Sequence, residues 1–192
     1  MLDPTTATVL ILGVMGAVIV GFRLFIRRPK GLGGEDPAGL RTVVLFRGND
    51  ASLFADDEPE GTLVGVRLFA ELCDGLGTAG LSLENRGTVQ HAQRVECVAG
   101  HERFALVLER TKRLWVLGIE WAPVAAAERR HVALTHQVFS PPDSPELRQV
   151  LMAIDRWLKS RPELTDLAWH HKEAWIDEQT NDPADSPIEP AG

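Results

Sequence analysis

Three glycines in the stretch GLGTAG, Gly75, Gly77 and Gly80, have the spacing of a dinucleotide-binding loop. Such a loop cradles a pyrophosphate with backbone N–H groups, and it must follow a strand and open a helix. Here a helical pattern precedes the glycines and a strand pattern follows them. The glycines therefore predict the end of a helix, and the sequence predicts no nucleotide cofactor.

The histidines do not have the spacing of a metal site. His131 and His136 lie five apart in a strand pattern, which points their side chains to opposite faces. His170 and His171 are adjacent, and neither a helix nor a strand aims neighbouring side chains at one point. The sequence therefore predicts no metal. An alternative hypothesis, a membrane-tethered enzyme with an unrecognised site, would use His136, His170 or His171.

Other reactive side chains favour structural roles. Cys73 and Cys97 each lie among apolar neighbours, which predicts two reduced, buried thiols instead of a disulfide or a nucleophile. The acidic run Ala55–Glu60 predicts a hydrated loop before a helix, not a general acid and base. The sequence therefore identifies no catalytic residue and no cofactor.

The elements that position these residues predict an α+β domain over residues 41–176. Helical spacing covers residues 63–76 and again a segment that begins with Asp143 or Ser144 as N-cap and Pro145 in the first turn. Strand patterns cover residues 41–46, 81–85 and 131–139, and three further runs within 92–121 are linked as hairpins. The NRG of residues 85–87 predicts a turn at the end of the strand 81–85. We predict one antiparallel sheet with two main helices packed on one face.

The opposite face of the predicted sheet has polar ends and an apolar middle. A face left to water would be polar throughout, so the middle needs cover. One possibility is that the chain itself covers this apolar middle with residues 166–175 or 49–54. The other is that a protein partner or a second copy of the chain covers it. The candidate binding surface consists of Val98, Ala105, Val107, Leu114 and Val116.

Residues 5–27 predict a single transmembrane helix at the N-terminal end of the chain. Only Arg23 is charged between Thr5 and Ile26, and this length gives a helix of about 30 Å, enough to cross the hydrocarbon core. A secretory signal would begin with basic residues, and no basic residue precedes this span. The predicted membrane-interface residues, which also favour anionic headgroups, are Arg23, Arg27, Arg28 and Lys30. They predict a cell-membrane protein with its N-terminus outside and its C-terminal domain in the cytoplasm.

Gly13, Ala17 and Gly21 place small residues along one face of this anchor, which predicts a candidate site of helix association. Residues 28–40 are rich in glycine and proline and predict a flexible linker. Residues 177–192 are acidic and proline-rich, and this composition predicts a disordered tail.

Acidic and basic residues are nearly balanced within residues 41–176, which argues against nucleic-acid binding. The hypothesis from sequence is a membrane-anchored cytoplasmic binding module. Its partners would be the lipid bilayer and either another protein or a second copy in a homodimer.

Overall fold

The structure is a computed structural model, and it describes residues 36–48, 65–89, 92–111, 114–122, 141–172 and 183–189. Contacts divide the chain into two units, Met1–Gly34 and Glu35–Gly192, and the described residues all belong to the second. Among them, no helix is both long and apolar enough to cross a bilayer. The predicted anchor at 5–27 lies outside the described residues, as do the residues predicted for membrane contact and helix association.

Six antiparallel strands and two helices form an α+β fold, as predicted. In chain order the elements are β1 (Val43–Gly48), α1 (Val66–Thr78), β2 (Ser82–Val89), β3 (Ala92–Ala99), β4 (Glu102–Thr111), β5 (Leu114–Trp121), α2 (Pro145–Lys159) and β6 (Leu164–His170). The strands lie in the order β2-β3-β4-β5-β1-β6. Strands β2 to β5 therefore form a meander, and β1 lies between β5 and β6.

Alternation along the strands buries one face of the sheet under both helices. Phe104, Leu106 and Leu108 of β4 align with the inward side chains of β5, and all belong to the main core. Each helix buries an apolar stripe in the same core, and removing this surface from water stabilises the layered packing. The predicted pair of hairpins within residues 92–121 is confirmed.

The prediction that Asn85–Gly87 forms a turn is wrong, because these residues lie inside β2. The register with β3 shifts between Glu84 and Gly87, which marks a β-bulge, and Asn85 has a φ of 50°. Asparagine tolerates this left-handed conformation, and a bulge bends a strand without ending its pairing. The strand β2 therefore continues to Val89.

Of the three glycines predicted to end the first helix, Gly80 lies just beyond it with a φ of 87°. The next residue, Leu81, donates its N–H to the carbonyl of Leu76 at 3.1 Å, the bond of a Schellman motif. Gly75 has a different role inside the helix. A Cβ at Gly75 would lie 2.2 Å from the Trp157 ring, so glycine permits the close approach of α2.

The start of α2 is confirmed. Ser144 is the N-cap, and its Oγ accepts the N–H of Leu147 at 3.1 Å, with Pro145 in the first turn. Asp143, the other candidate cap, instead accepts from the Arg148 guanidinium at 2.8 Å.

Part of the segment 166–175, one of the two candidate covers for the second face, instead belongs to the sheet as β6. Trp169 points into the main core, and its indole N–H donates to Asp155 of α2 at 2.9 Å. The strand escapes detection from sequence because Asp166, with a φ of 55°, interrupts the alternation expected of a strand. The predicted strand at 131–139 and the other candidate cover, 49–54, lie outside the described residues.

The prediction of a disordered tail is wrong for residues 183–189. Ala184 pairs with Trp169 at the outer edge of β6, and Ile188 pairs with Leu40. The composition of the tail is polar, but Ile188 packs on the main core and backbone pairing supplies further contacts. These interactions offset the entropy lost when the segment is ordered.

Candidate functional site

The strand β2 forms one edge of the sheet, and no described residue pairs with its outer side. Every residue of β2 is exposed except Leu83, which is half-buried. The other edge strand, β6, is bordered by Ala184. An open edge strand presents a row of backbone N–H and C=O groups to which an extended chain can add.

A groove of about 680 Å³ lies between α1 and β2, beside this open edge. Its apolar lining comes from Cys73, Leu81, Leu83 and Val95, and its polar rim and wall from Asp74, Gly77, Thr78, Glu84, Asn85 and Arg86. No described atom lies within 4 Å of the place where Gly77 would carry a Cβ. A strand added to β2 would direct alternate side chains toward this groove.

The charged side chains at the rim differ in how firmly they are held. Arg86 lies over the ring of Phe69, at 5.7 Å from its centroid, and donates to the carbonyl oxygen of Val66 at 3.4 Å. Glu84 accepts from Arg103 at 2.9 Å. Asp74 makes no ion pair with a described residue.

Cys73, at the groove, is a free and buried thiol. Burial raises the pKa of Cys73, and the nearby Arg86 guanidinium only partly opposes this effect. Burial also raises the pKa of Cys97, to about 12. Both thiols are free and buried, as predicted, and a protonated thiol reacts slowly.

A network centred on Glu96 fixes the bulge of β2 to the neighbouring strands. The Glu96 carboxylate accepts from Asn85 at 2.9 Å, Arg94 at 3.1 Å and Arg103 at 2.8 Å. Burial alone would raise the pKa of Glu96, but these hydrogen bonds together outweigh it and hold the pKa below its usual range. These hydrogen bonds hold the bulged part of β2 in place at the edge of the sheet.

The five residues of the predicted binding surface lie on β3, β4 and β5, at positions that face away from the helices. Ala105 and Val116 are only 2% and 3% exposed, and Val116 joins Val43 and Leu45 of β1 in a second small core. The other three, Val98, Val107 and Leu114, are half-buried. The open apolar area on this face is therefore smaller than the sequence pattern indicates.

The same face carries one of the candidate histidines and a carboxylate, on strands that β1 separates. His170 is 3% exposed and pairs in register with Val43, which in turn pairs with Gly118. Glu120 lies two residues beyond Gly118, and burial raises its pKa while Lys172 opposes this shift. No group of three potential metal ligands occurs among the residues that the structure describes. His171 follows the strand and is half-buried, and His136 lies outside the described residues.

Sequence reasoning missed the groove because it placed the end of β2 at Asn85. The alternation of Ser82–Val89 is interrupted at the bulge, and a glycine after Asn and Arg indicates a turn. The polar composition of residues 82–89 is typical of an edge strand, and this signal in the sequence could have revealed the edge and the groove beside it.

The chain matches no protein-family profile, no curated protein and no solved structure.

Proposed function

We propose that this protein is a membrane-anchored interaction module whose cytoplasmic α+β domain binds an extended segment of a protein partner along β2. One observation carries the proposal: an exposed edge strand of eight residues runs beside a groove of about 680 Å³. Strand addition uses backbone hydrogen bonds for affinity and pockets beside the strand for specificity, and this surface offers both.

The bulge divides β2 into two regularly paired halves, residues 82–84 and 87–89. Each backbone hydrogen bond contributes about 0.5–1.5 kcal/mol, and an apolar side chain that fills the groove adds about 1.5–3 kcal/mol. The loss of motional freedom on association opposes these terms. We expect a complex of about micromolar affinity, strengthened where both proteins are held at one membrane.

The membrane attachment rests on the sequence of residues 5–30. The apolar span would anchor the chain, and Arg23, Arg27, Arg28 and Lys30 would keep the domain on the cytoplasmic side. A reporter that is active only outside the cytoplasm, fused after Gly192, should be silent. Strong activity would reverse this orientation.

Homodimer formation through the anchor is a separate prediction. Gly13, Ala17 and Gly21 would allow two helices to approach closely. Replacing Ala17 by Ile should reduce association in a membrane dimerisation assay, whereas Val14→Ile on another face should not. Equal association of both variants would exclude this contact.

The second face supports an alternative function, a membrane-tethered enzyme. His170 and Glu120 lie on one face near Gly118, where no described atom occupies the space of a Cβ. A carboxyl of raised pKa on the same sheet face as an imidazole is the observation that favours general acid–base chemistry. If this function is correct, Glu120→Gln should abolish turnover of a metabolite from the cell extract without unfolding the domain, and Gly77→Leu should leave it intact.

Photo-cross-linking tests the proposed interaction. A benzophenone side chain is placed at Thr88 on β2 or, as the control, at exposed Met152 on α2, in the full-length protein within its own membranes. Thr88 should yield a discrete protein adduct that Met152 does not. Gly77→Leu, which fills the groove, should weaken this adduct, and identical products from both positions would refute the proposal.

A further inference from the structure

Residues 183–189, here called the strap, cross the edge of the sheet opposite to β2. At one end, Trp169 donates its N–H to Ala184 O at 2.8 Å, and Ala184 donates back to Trp169 O at 3.0 Å. At the other end, the N–H of Arg41 donates to Pro187 O at 2.8 Å, and that of Glu189 to Gly39 O at 2.9 Å. The strap is thus held by a pair of backbone hydrogen bonds at each end, and its chain bends at residues 185–187 between them.

Side chains add selectivity to this backbone pairing. Ile188 packs on the main core, and the carboxylate of Glu189 lies 3.0 Å from the guanidinium of Arg41, whose side chain is only 5% exposed. Lys159 donates to the carbonyl of Asp185 at 2.7 Å. The site therefore holds a segment in which an apolar residue is followed directly by an acidic one.

We propose that this edge is a peptide-recognition site that the chain's own strap occupies. When the strap detaches, the site binds a segment of a partner protein in which an acidic residue follows an apolar one. The strap shows which chemistry the site accepts, and its contacts fall at two separate points instead of along a continuous ladder. Elements held by few contacts open without unfolding of the whole domain. A covered sheet edge then becomes available for strand addition.

The charge of the site selects the partner. Arg41 lies against the Glu189 carboxylate, so a segment with Glu or Asp after its apolar residue is favoured over a basic one. Lys159 is ion-paired with Asp155 and reaches only a backbone carbonyl of the strap. The partner competes with a strap whose effective concentration is about millimolar, so the site is autoinhibited unless the strap is weakened or the partner is concentrated nearby. This proposal is independent of binding at β2.

Hydrogen exchange of the full-length protein in detergent tests whether the strap detaches. The amides of Arg41 and Trp169, which donate to the strap, should exchange at least about tenfold faster than those of β5, because they open locally. Ile188→Ala should accelerate them by about a further tenfold, with β5 unchanged. If they exchange only as slowly as β5, the strap opens only on global unfolding and the proposal fails.

A free peptide of the strap sequence, Pro183–Glu189, then tests recognition in trans. Added at millimolar concentration to the Ile188→Ala protein, it should restore slow exchange at Arg41 and Trp169. The matched peptide with Glu189→Lys should protect these amides at least about fivefold less well. Absence of protection would overturn the recognition site, and equal protection by both peptides would overturn the preference for acidic partners.

Discussion

Two glycines in one helix provide a matched test of how α1 and α2 pack. Gly75 and Gly77 both lie in α1, so their replacement by Ala changes the same chemistry two residues apart. A Cβ at Gly75 would lie 2.2 Å from the Trp157 ring, whereas no described atom is within 4 Å at Gly77. The two substitutions should therefore have opposite effects on stability.

The magnitude follows from two terms. Alanine favours a helix over glycine by about 0.5–1 kcal/mol, and this gain applies at both positions. At Gly75 the ring of Trp157 must move by about 1.2 Å, the difference between an ordinary contact of 3.4 Å and 2.2 Å. Overpacking of this kind costs about 1–3 kcal/mol, and Arg161 over the ring, 5.2 Å from its centroid, limits the movement.

We expect Gly75→Ala to lower the free energy of unfolding by up to about 2.5 kcal/mol and Gly77→Ala to raise it by about 0.5–1 kcal/mol. Urea unfolding of the full-length protein in mild detergent, followed by tryptophan fluorescence and circular dichroism, measures both values. A Gly75→Ala protein as stable as Gly77→Ala would refute the close contact between the helices.

Three further predictions concern the buried polar groups and the extent of the domain. Asp155→Ala should lower the free energy of unfolding by about 1–3 kcal/mol in the same urea assay, because the buried indole N–H of Trp169 loses its acceptor. Since the pKa of Glu96 is lowered, its contribution to stability is present above its ordinary value of 4.5 and is lost as the pH falls further. Glu96→Gln should lower stability at pH 7 and flatten its decline in acid, and an unchanged pH profile of unfolding would contradict this. Residues 36–189 expressed alone should unfold cooperatively in calorimetry, whereas residues 36–178 should melt lower, because they lack the strap; equal melting temperatures would show that the strap does not stabilise the domain.

Sequence periodicity predicted the parts of the fold in which each strand alternates regularly. The runs that contain Val95, Leu106 and Leu117 have one apolar face each, so their pairing and inward face followed from a period of two. Ser144 before Pro145 likewise gave the start of α2, because the cap and the first turn are local properties.

The missed features depend on bulges and on contacts between distant segments. Asn85 and Asp166 both have positive φ angles inside strands, and each breaks the alternation that indicates a strand. The order of Ala184–Glu189 depends on Trp169 and Leu40, which are remote in sequence, so composition alone predicted disorder. The groove lies between α1 and the bulged β2, and it could not be predicted without that bulge.

The central proposal is that a partner adds a strand to β2, and amide exchange in the cross-linked complex tests it most directly. The adduct formed through Thr88 is purified, and its hydrogen exchange is measured by mass spectrometry beside that of the free protein. Strand addition predicts slower exchange within residues 82–89 and no change within β5, because only the edge gains new backbone hydrogen bonds. Equal exchange of residues 82–89 in both samples, or protection only in β4 and β5, would contradict binding at the β2 edge.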